Sequence, residues 1–456
     1  MLLELGLRGV GYEGPVTAEL DPFISFSDVR PLFERSGDRM AIPASRQEYF
    51  RPDSFPAPKP TAVKRVFCLG GSTVQGRPFA IETAFSTWLQ IALERTEPRH
   101  SWEVINCGGV SYASYRLRPI LEELLAYEPD LIVLYTGQNE FLEERTYAEW
   151  RQRPEWARAA ARSLESLRIF RLARGLASPP RSDRLPTEVD AMLDYRDGLR
   201  KYHRDDNWRR AVADHYELNL RSMIELAHRA GVPLLVCQPV TNLQTPPFKS
   251  EPDDLPSGQR QQLKLHLTSA TEGSVAARID HLEQAISLSP RHAAAQFQLA
   301  QLHEQLGQLD DAKRHYLAAR DEDICPLRMT TPLYAKLRKV MSDHRHRKDL
   351  YWVDILERFE AESPGGITGE KWLVDHVHPS IYGHQRIALW ICEALAERGV
   401  IQRANDHEAR CREAFRAHLE QLPSIYFEQA KRRLEGLRRW AQGRALKVRN
   451  PGTGPN

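Results

Sequence analysis

The sequence contains no uninterrupted apolar run of about 18 residues, the length a transmembrane helix requires. Its opening, Met1-Leu2-Leu3-Glu4-Leu5-Gly6-Leu7, is too short and too charged for a signal peptide. As given, the chain reads as soluble. Cysteine is sparse: six in 456 residues, with no Cys-x-x-Cys pair and no metal-ligand spacing. That argues against a disulfide framework and a cysteine-built metal site, and nothing demands an oxidising compartment. A charge excess is also missing. Lys and Arg number 63 against 61 Asp and Glu, a net charge of +2, so no global charge favours nucleic acid. The one local excess is at 431–449, with Arg432, Arg433, Arg438, Arg439, Arg444 and Lys447. It reads first as a solvated helix face and tail, and second as a patch for an anionic partner.

What is present is a strand-and-helix alternation. At 41% hydrophobic and 27% charged, the chain has enough apolar residues for one large core plus attachments. After an aperiodic start (1–50) and a proline-rich connector (52–60), Val66-Phe67-Cys68-Leu69 reads as a buried strand. Further strands are expected at 104–105, 131–135, 232–237 and 350–354. Helices are expected at 84–95, 115–127 and 381–397, with a long helical stretch before 230. Glu128-Pro129 and Ala230-Gly231 supply helix stops. Such alternation predicts right-handed βαβ crossovers and a mostly parallel sheet, with ligands at the carboxyl ends of the strands.

Two segments break the rhythm. Residues 142–206 are charged and Arg-rich and read as a helical insertion. Residues 260–325 read as helical repeat: Leu282, Ala285 and Pro290 close one helix pair, and Leu299, Ala300, Gly307, Ala312, Tyr316 and Ala319 follow tetratricopeptide spacing. About one and a half repeats cannot stand alone, so this piece is expected to pack on the core or on a partner.

Four short motifs fall after the strands. Gly70-Gly71-Ser72-Thr73 follows the first, its glycines permitting a sharp turn that presents the Ser72 hydroxyl. A serine hydroxyl needs an adjacent base to act as a nucleophile. Asp375-His376-Val377-His378-Pro379 supplies one: three residues apart, Asp375 can orient His378, whose second ring nitrogen then accepts the serine proton. His376 is the rival base, too tightly spaced to Asp375. Asn106-Cys107-Gly108 and Gly137-Gln138-Asn139 offer an oxyanion hole from the N–H groups of Ser72 and Gly108 and the Asn139 amide, each donor worth roughly 3 kcal/mol of barrier. Cys107 reads as a small buried residue, as do Cys68 and Cys237, and Glu140 as a structural hydrogen-bond partner. Lys249 and Arg328, at the ends of the repeat insertion, read as insertion-packing cations or as positive charge beside the site for an anionic substrate.

The order Gly71-Ser72, Gly108, Asn139 and Asp375-x-x-His378 resembles the SGNH, or GDSL, hydrolase superfamily. A narrower likeness, at 65–76, 136–141, 242–250 and 320–328, is to bacterial SGNH-hydrolase-like proteins with an inserted tetratricopeptide segment. The departures are Gly-Gly-Ser-Thr for Gly-Asp-Ser-Leu and Gly-Gln-Asn-Glu for Gly-x-Asn-Asp. The resemblance implies a flavodoxin-like three-layer α/β/α fold with a mostly parallel sheet. It implies a serine esterase with catalytic Ser72, His378 and Asp375, oxyanion donors Ser72, Gly108 and Asn139, and no metal or organic cofactor. The alternatives are acyl transfer to a carbohydrate hydroxyl at the same site, or a silent scaffold binding a protein partner through the repeats. The partners expected are a small-molecule or carbohydrate-linked ester and no nucleic acid. The expected organisation is an extension and linker (1–63), a first core part (64–248), the tetratricopeptide-like insertion (249–345), a last core part (346–400) and a C-terminal helical extension with basic tail (401–456).

Overall fold

The structure, a computed structural model, describes residues 21, 23–26, 28–147 and 183–443. The centre of the Arg-rich insertion and the basic tail beyond 443, with Arg444 and Lys447, lie outside the described residues.

Five strands form one parallel sheet: β1 (Val63–Gly70), β2 (Ser101–Gly108), β3 (Leu131–Tyr135), β4 (Leu234–Gln238) and β5 (Leu350–Asp354). Their spatial order is β5-β4-β3-β1-β2, the flavodoxin-like arrangement. The sequence shows why β3 is central: all five residues of Leu-Ile-Val-Leu-Tyr are buried, as a strand covered on both faces requires.

The helices, in chain order, begin with α1 (Ser72–Gln75), α2 (Phe85–Thr96), α3 (Ser114–Leu124) and α4 (Asp206–Arg229). Next come α5 (Ser257–Ser269), α6 (Val275–Leu288), α7 (Ala293–Gln305), α8 (Leu309–Asp321) and α9 (Thr331–Asp343). Last are α10 (Ile355–Ala361), α11 (Ile381–Glu397), α12 (His407–Glu420) and α13 (Ser424–Ala441). Helix α2 packs with α11 and α12, whereas α4 packs with α3 and α9. The chain reverses direction across the sheet after β2, and right-handed crossovers then put the two groups on opposite faces. The expected helix stops act as read: Glu128 (φ 55°) and Gly231 (φ 67°) are both left-handed.

The repeat segment inserts between β4 and β5. Helices α5 to α8 pack each on the next, around two small clusters of their own. Leu243 and Ile367, from outside the repeat, join Phe297, Ala300, Ala312 and Tyr316, so the insertion docks on the core. Helix α9 falls within the expected insertion (249–345), but its Leu333, Tyr334, Leu337 and Val340 belong to the main core. The Leu337 and Val340 spacing and its Pro at the start are signs of an ordinary amphipathic helix, and its apolar face is spent on α4.

Near the N-terminus, three strands of three residues each (Glu34–Ser36, Arg39–Ala41, Ser54–Pro56) form a small antiparallel sheet. It docks through Phe55, whose ring lies 5.3 Å from those of both Phe67 and Tyr127.

Candidate functional site

The turn after β1 leads straight into α1, so Ser72 is a first-turn helix residue rather than part of an open loop. Strands β1 and β3 are neighbours, and Asn139 follows β3; the two residues thus flank the point where the strand order reverses. Close approach there requires glycine: a side chain at Gly71 would start 2.5 Å from Asn139 Nδ2.

The structure brings Ser72 and His378 together although 306 positions separate them, with Ser72 Oγ 2.7 Å from His378 Nε2. His378 Nδ1 lies 2.7 Å from Asp375 Oδ2. The other carboxylate oxygen, Oδ1, accepts the backbone N–H groups of Val377 (2.9 Å) and His378 (2.8 Å). The loop is closed by Val374 N–H donating to His378 O at 2.9 Å. Burial alone would raise the Asp375 carboxyl. The adjoining imidazoles and N–H donors outweigh it and hold the group well below the ordinary carboxylate range, so it is ionised. A carboxylate fixed in this way sets the imidazole tautomer and leaves Nε2 to take a proton from Ser72 Oγ.

His376 is not placed to do this. Its Nδ1 is 3.7 Å from Asp375 Oδ1, and the Phe248 ring meets it edge-on at 5.1 Å. Burial pushes it down to about 4 against the pull of Asp375, which leaves it neutral near pH 7.

Of the three expected oxyanion donors, Gly108 is elsewhere. Its N–H donates to Asn106 Oδ1 at 3.0 Å. Its missing side chain makes room for α1: a Cβ there would lie 2.1 Å from Gln75 N. Gly108 is thus a packing glycine beneath the nucleophile turn. Three residues on, Ser111 lines the same cavity as Ser72, Asn139 and His378, and its φ is 63°. Its N–H has no partner among the described residues. Only that unusual φ marks Ser111, and a serine gives no hint of it in sequence. Asn139 Nδ2 donates to Tyr112 O at 3.0 Å, which leaves its second hydrogen available.

The surroundings are fixed by hydrogen bonds. Thr73 Oγ1 donates to Gln138 Oε1 (2.8 Å), and Gln138 Nε2 donates to Val240 O (2.9 Å). Glu140 accepts from Ser114 N–H and Oγ, tying down the start of α3, the structural part expected of it. Cys107 is buried, and burial raises its thiol well above the ordinary range, so it is not a thiolate nucleophile. All six cysteines are free. Among the described residues, no group of His, Cys, Asp and Glu could hold a metal ion. No helix there is long and apolar enough to cross a membrane.

Ser72 and His378 open onto a cavity of about 660 Å³. Its far wall is α13, through Arg432, Arg433, Glu435, Arg439 and Trp440. Arg432, Arg438 and Arg439 are exposed, as the solvated-face reading of this segment expects, and Arg432, Arg433 and Arg439 also border the cavity. Lys249 and Arg328 do not. Lys249 Nζ donates to Tyr202 O at 2.5 Å, and Arg328 Nη1 to the carbonyls of Asn242 (2.9 Å) and Thr245 (2.7 Å). Both are packing cations of the insertion.

Residues 272–323 match the tetratricopeptide repeat family, within the segment read as repeat. No curated protein matches the chain. Among solved structures, it is similar to a mutant acetyl-xylooligosaccharide esterase from Geobacillus Stearmophilus, 14% identical, covering 74% of this chain and 94% of that one, with a TM-score of 0.32. It is similar to a lipase/acylhydrolase from Enterococcus faecalis, 13% identical, over 75% and 99% of the two chains, at 0.32. A GDSL-like lipase from Bacteroides thetaiotaomicron is 10% identical, over 73% and 88%, at 0.31. Overlaps this low carry no weight for function; the strand order defines the fold.

Proposed function

We propose that the protein is a serine ester hydrolase. The observation that carries this reading is the hydrogen-bonded chain Ser72–His378–Asp375, both links 2.7 Å, assembled from opposite ends of the sequence. Ser72 Oγ attacks the ester carbonyl as its proton passes to His378 Nε2. Asp375 keeps the resulting imidazolium oriented. The tetrahedral oxyanion takes hydrogen bonds from the N–H groups of Ser72 and Ser111 and from Asn139 Nδ2, with Ser111 in the place first given to Gly108. Collapse breaks the bond to the leaving alcohol, which receives the proton from His378. Water then repeats the sequence on the acyl-enzyme, releasing the acid and restoring Ser72.

The test is covalent labelling together with turnover. A fluorophosphonate is expected to label Ser72, and Ser72→Ala to abolish labelling and to lower kcat on 4-nitrophenyl acetate by at least about 10⁴-fold with the fold intact. Full turnover in that variant would refute the reading. Product analysis with a polyol present separates hydrolysis from acyl transfer, since transfer yields the acylated polyol.

A further inference from the structure

We infer that the cavity beside Ser72 holds an oxyanion-bearing part of the substrate (carboxylate, sulfate or phosphate), gripped by Arg77 and Arg433, so that the ester cleaved is an anionic one. This deepens the serine-hydrolase reading and rests on it only for the word ester.

Four arginines line the cavity with the nucleophile: Arg77, Arg432, Arg433 and Arg439. None of them makes an ion pair among the described residues, although arginines elsewhere are routinely paired, as Arg65 is with Glu103 and Arg116 with Glu143. Carboxylates also line the cavity, at Glu48, Asp194 and Glu435. Asp194 accepts from Trp440 Nε1 at 2.8 Å, and no carboxylate comes within 4.0 Å of Arg77 or Arg433 among the described residues. Arg51 stands close enough to repel both, and at Arg433 Glu82 partly offsets it.

The donors of this cluster are incompletely used. Two of the lining arginines and the adjacent Arg51 each bury a nitrogen with no hydrogen-bond partner: Nε of Arg77, Nη2 of Arg433 and Nε of Arg51. A buried donor left unpaired is destabilising, and like charges held together add to that. Burial, with Arg51 and Arg433 nearby, pushes Arg77 down to about 10, so it keeps its charge at neutral pH. A planar, always-charged fork is the side chain suited to bidentate contact with an oxyanion. An anion held by the cavity-facing guanidinium ends of Arg77 and Arg433 would relieve the repulsion among these groups.

The cluster is tied to the nucleophile. Arg77 follows Ser72 by five residues, and its N–H donates to Ser72 O at 3.1 Å. Arg433 Nε donates to Pro78 O at 2.6 Å, locking α13 onto the same turn. Further along, Tyr426 Oη accepts from Ala80 N–H at 3.0 Å, and Arg438 Nη2 donates to Val374 O beside the Asp375 loop at 3.3 Å. Arg77 is therefore carried on the nucleophile turn itself, and Arg433 on a helix fixed to both halves of the site.

The experiment compares kcat/KM of the full chain for the 4-nitrophenyl ester of glutaric acid with that for the same ester capped as its methyl ester. The expected result is at least about a tenfold preference for the free acid, falling about tenfold in Arg77→Gln and again in Arg433→Gln. Inorganic sulfate and phosphate are expected to compete, and their ranking against glutarate identifies the preferred oxyanion. Equal turnover of charged and capped esters, with a ratio that neither variant moves, would overturn the inference. Arg433 is half-exposed and keeps the test available where Arg77→Gln fails to fold. If neither ester is turned over and Ser72 takes no probe, the hydrolase reading fails by itself. Calorimetric titration of sulfate and phosphate into the Ser72→Ala protein then decides the anion site: binding that Arg433→Gln weakens supports it, and no binding of either ion ends it.

Discussion

The core carries two attachments that differ in what they do near Ser72. The repeat insertion has a recognisable pattern, its own small apolar clusters and a family match, and helices α5 to α8 contribute no residue to the cavity. The C-terminal helix α13 has no pattern beyond an Arg-rich amphipathic face, and it forms one wall of the cavity. A clear sequence signal marks a unit that folds by local repetition. It says nothing about nearness to the chemistry, which here is decided by where the 18-residue helix α13 is anchored.

The largest effect expected, after loss of Ser72 itself, leaves both attachments intact. Asp375→Asn is expected to lower kcat by about 10³–10⁴-fold, because the amide favours the wrong imidazole tautomer while the fold persists. Steady-state kinetics with a circular-dichroism control measure it. A loss of less than tenfold would mean that the core site does not depend on its relay, and the contrast between core and attachments would lose its reference point.

Next comes a cut in the repeat alone. Leu299 is buried against Ala270, Leu282, Ala295 and Leu302. Leu299→Ala is expected to destabilise by about 2–5 kcal/mol, through lost transfer energy and the cavity left behind. Denaturant unfolding reads the destabilisation, and kcat/KM per folded molecule is expected to stay at the wild-type value. A fall in activity beyond the unfolded fraction would show the repeat coupled to the site.

The parts legible in sequence are those whose signals are local. Leu131 to Tyr135 declared β3 because a doubly covered strand must be continuously apolar, and Glu128-Pro129 and Gly231 declared the helix ends. The Asp375–His378 pairing was legible because both partners sit in one loop. The third oxyanion donor we propose was not. Gly108 looked right because it lacks a side chain, yet that space serves α1, while Ser111 is marked only by a backbone angle. The three-residue strands at 34–56 are too short to show a period. The wall formed by α13 was hidden because an Arg-rich face reads alike whether it meets water or a cavity.

Acid bears on both regions. Burial holds His376 and His315 down to about 4, and His384 to about 3. The first and last are in the core and His315 is in the repeat. Each is depressed in the fold relative to an unfolded value of about 6.5, so its contribution is complete above that pH and is lost as pH falls toward the folded value. The expected slope approaches about 1.4 kcal/mol per pH unit for each imidazole. Urea unfolding at pH 7 and pH 5 checks the sign. His315→Gln is expected to flatten the slope by one imidazole, with the core's share retained. A slope unchanged in that variant would mean the repeat does not share the acid sensitivity.

The smallest effect bears on the anchoring of α13. Tyr426 Oη accepts from Ala80 N–H and shares a hydrogen bond with Thr83 Oγ1 at 2.7 Å. Tyr426→Phe removes both links and keeps the ring, so a loss of about 1 kcal/mol of stability is expected. The bonds from Arg433 to Pro78 and from Trp440 to Asp194 still hold the helix, so it loosens rather than leaves. Because the helix carries arginines and no relay residue, KM for an anionic ester is expected to rise a few-fold with kcat nearly constant. A purely structural tyrosine would instead lower stability and leave both constants alone. A fall in kcat at unchanged KM would mean that α13 acts on the relay itself, and the division between chemistry in the core and recognition on the attachment would have to be redrawn.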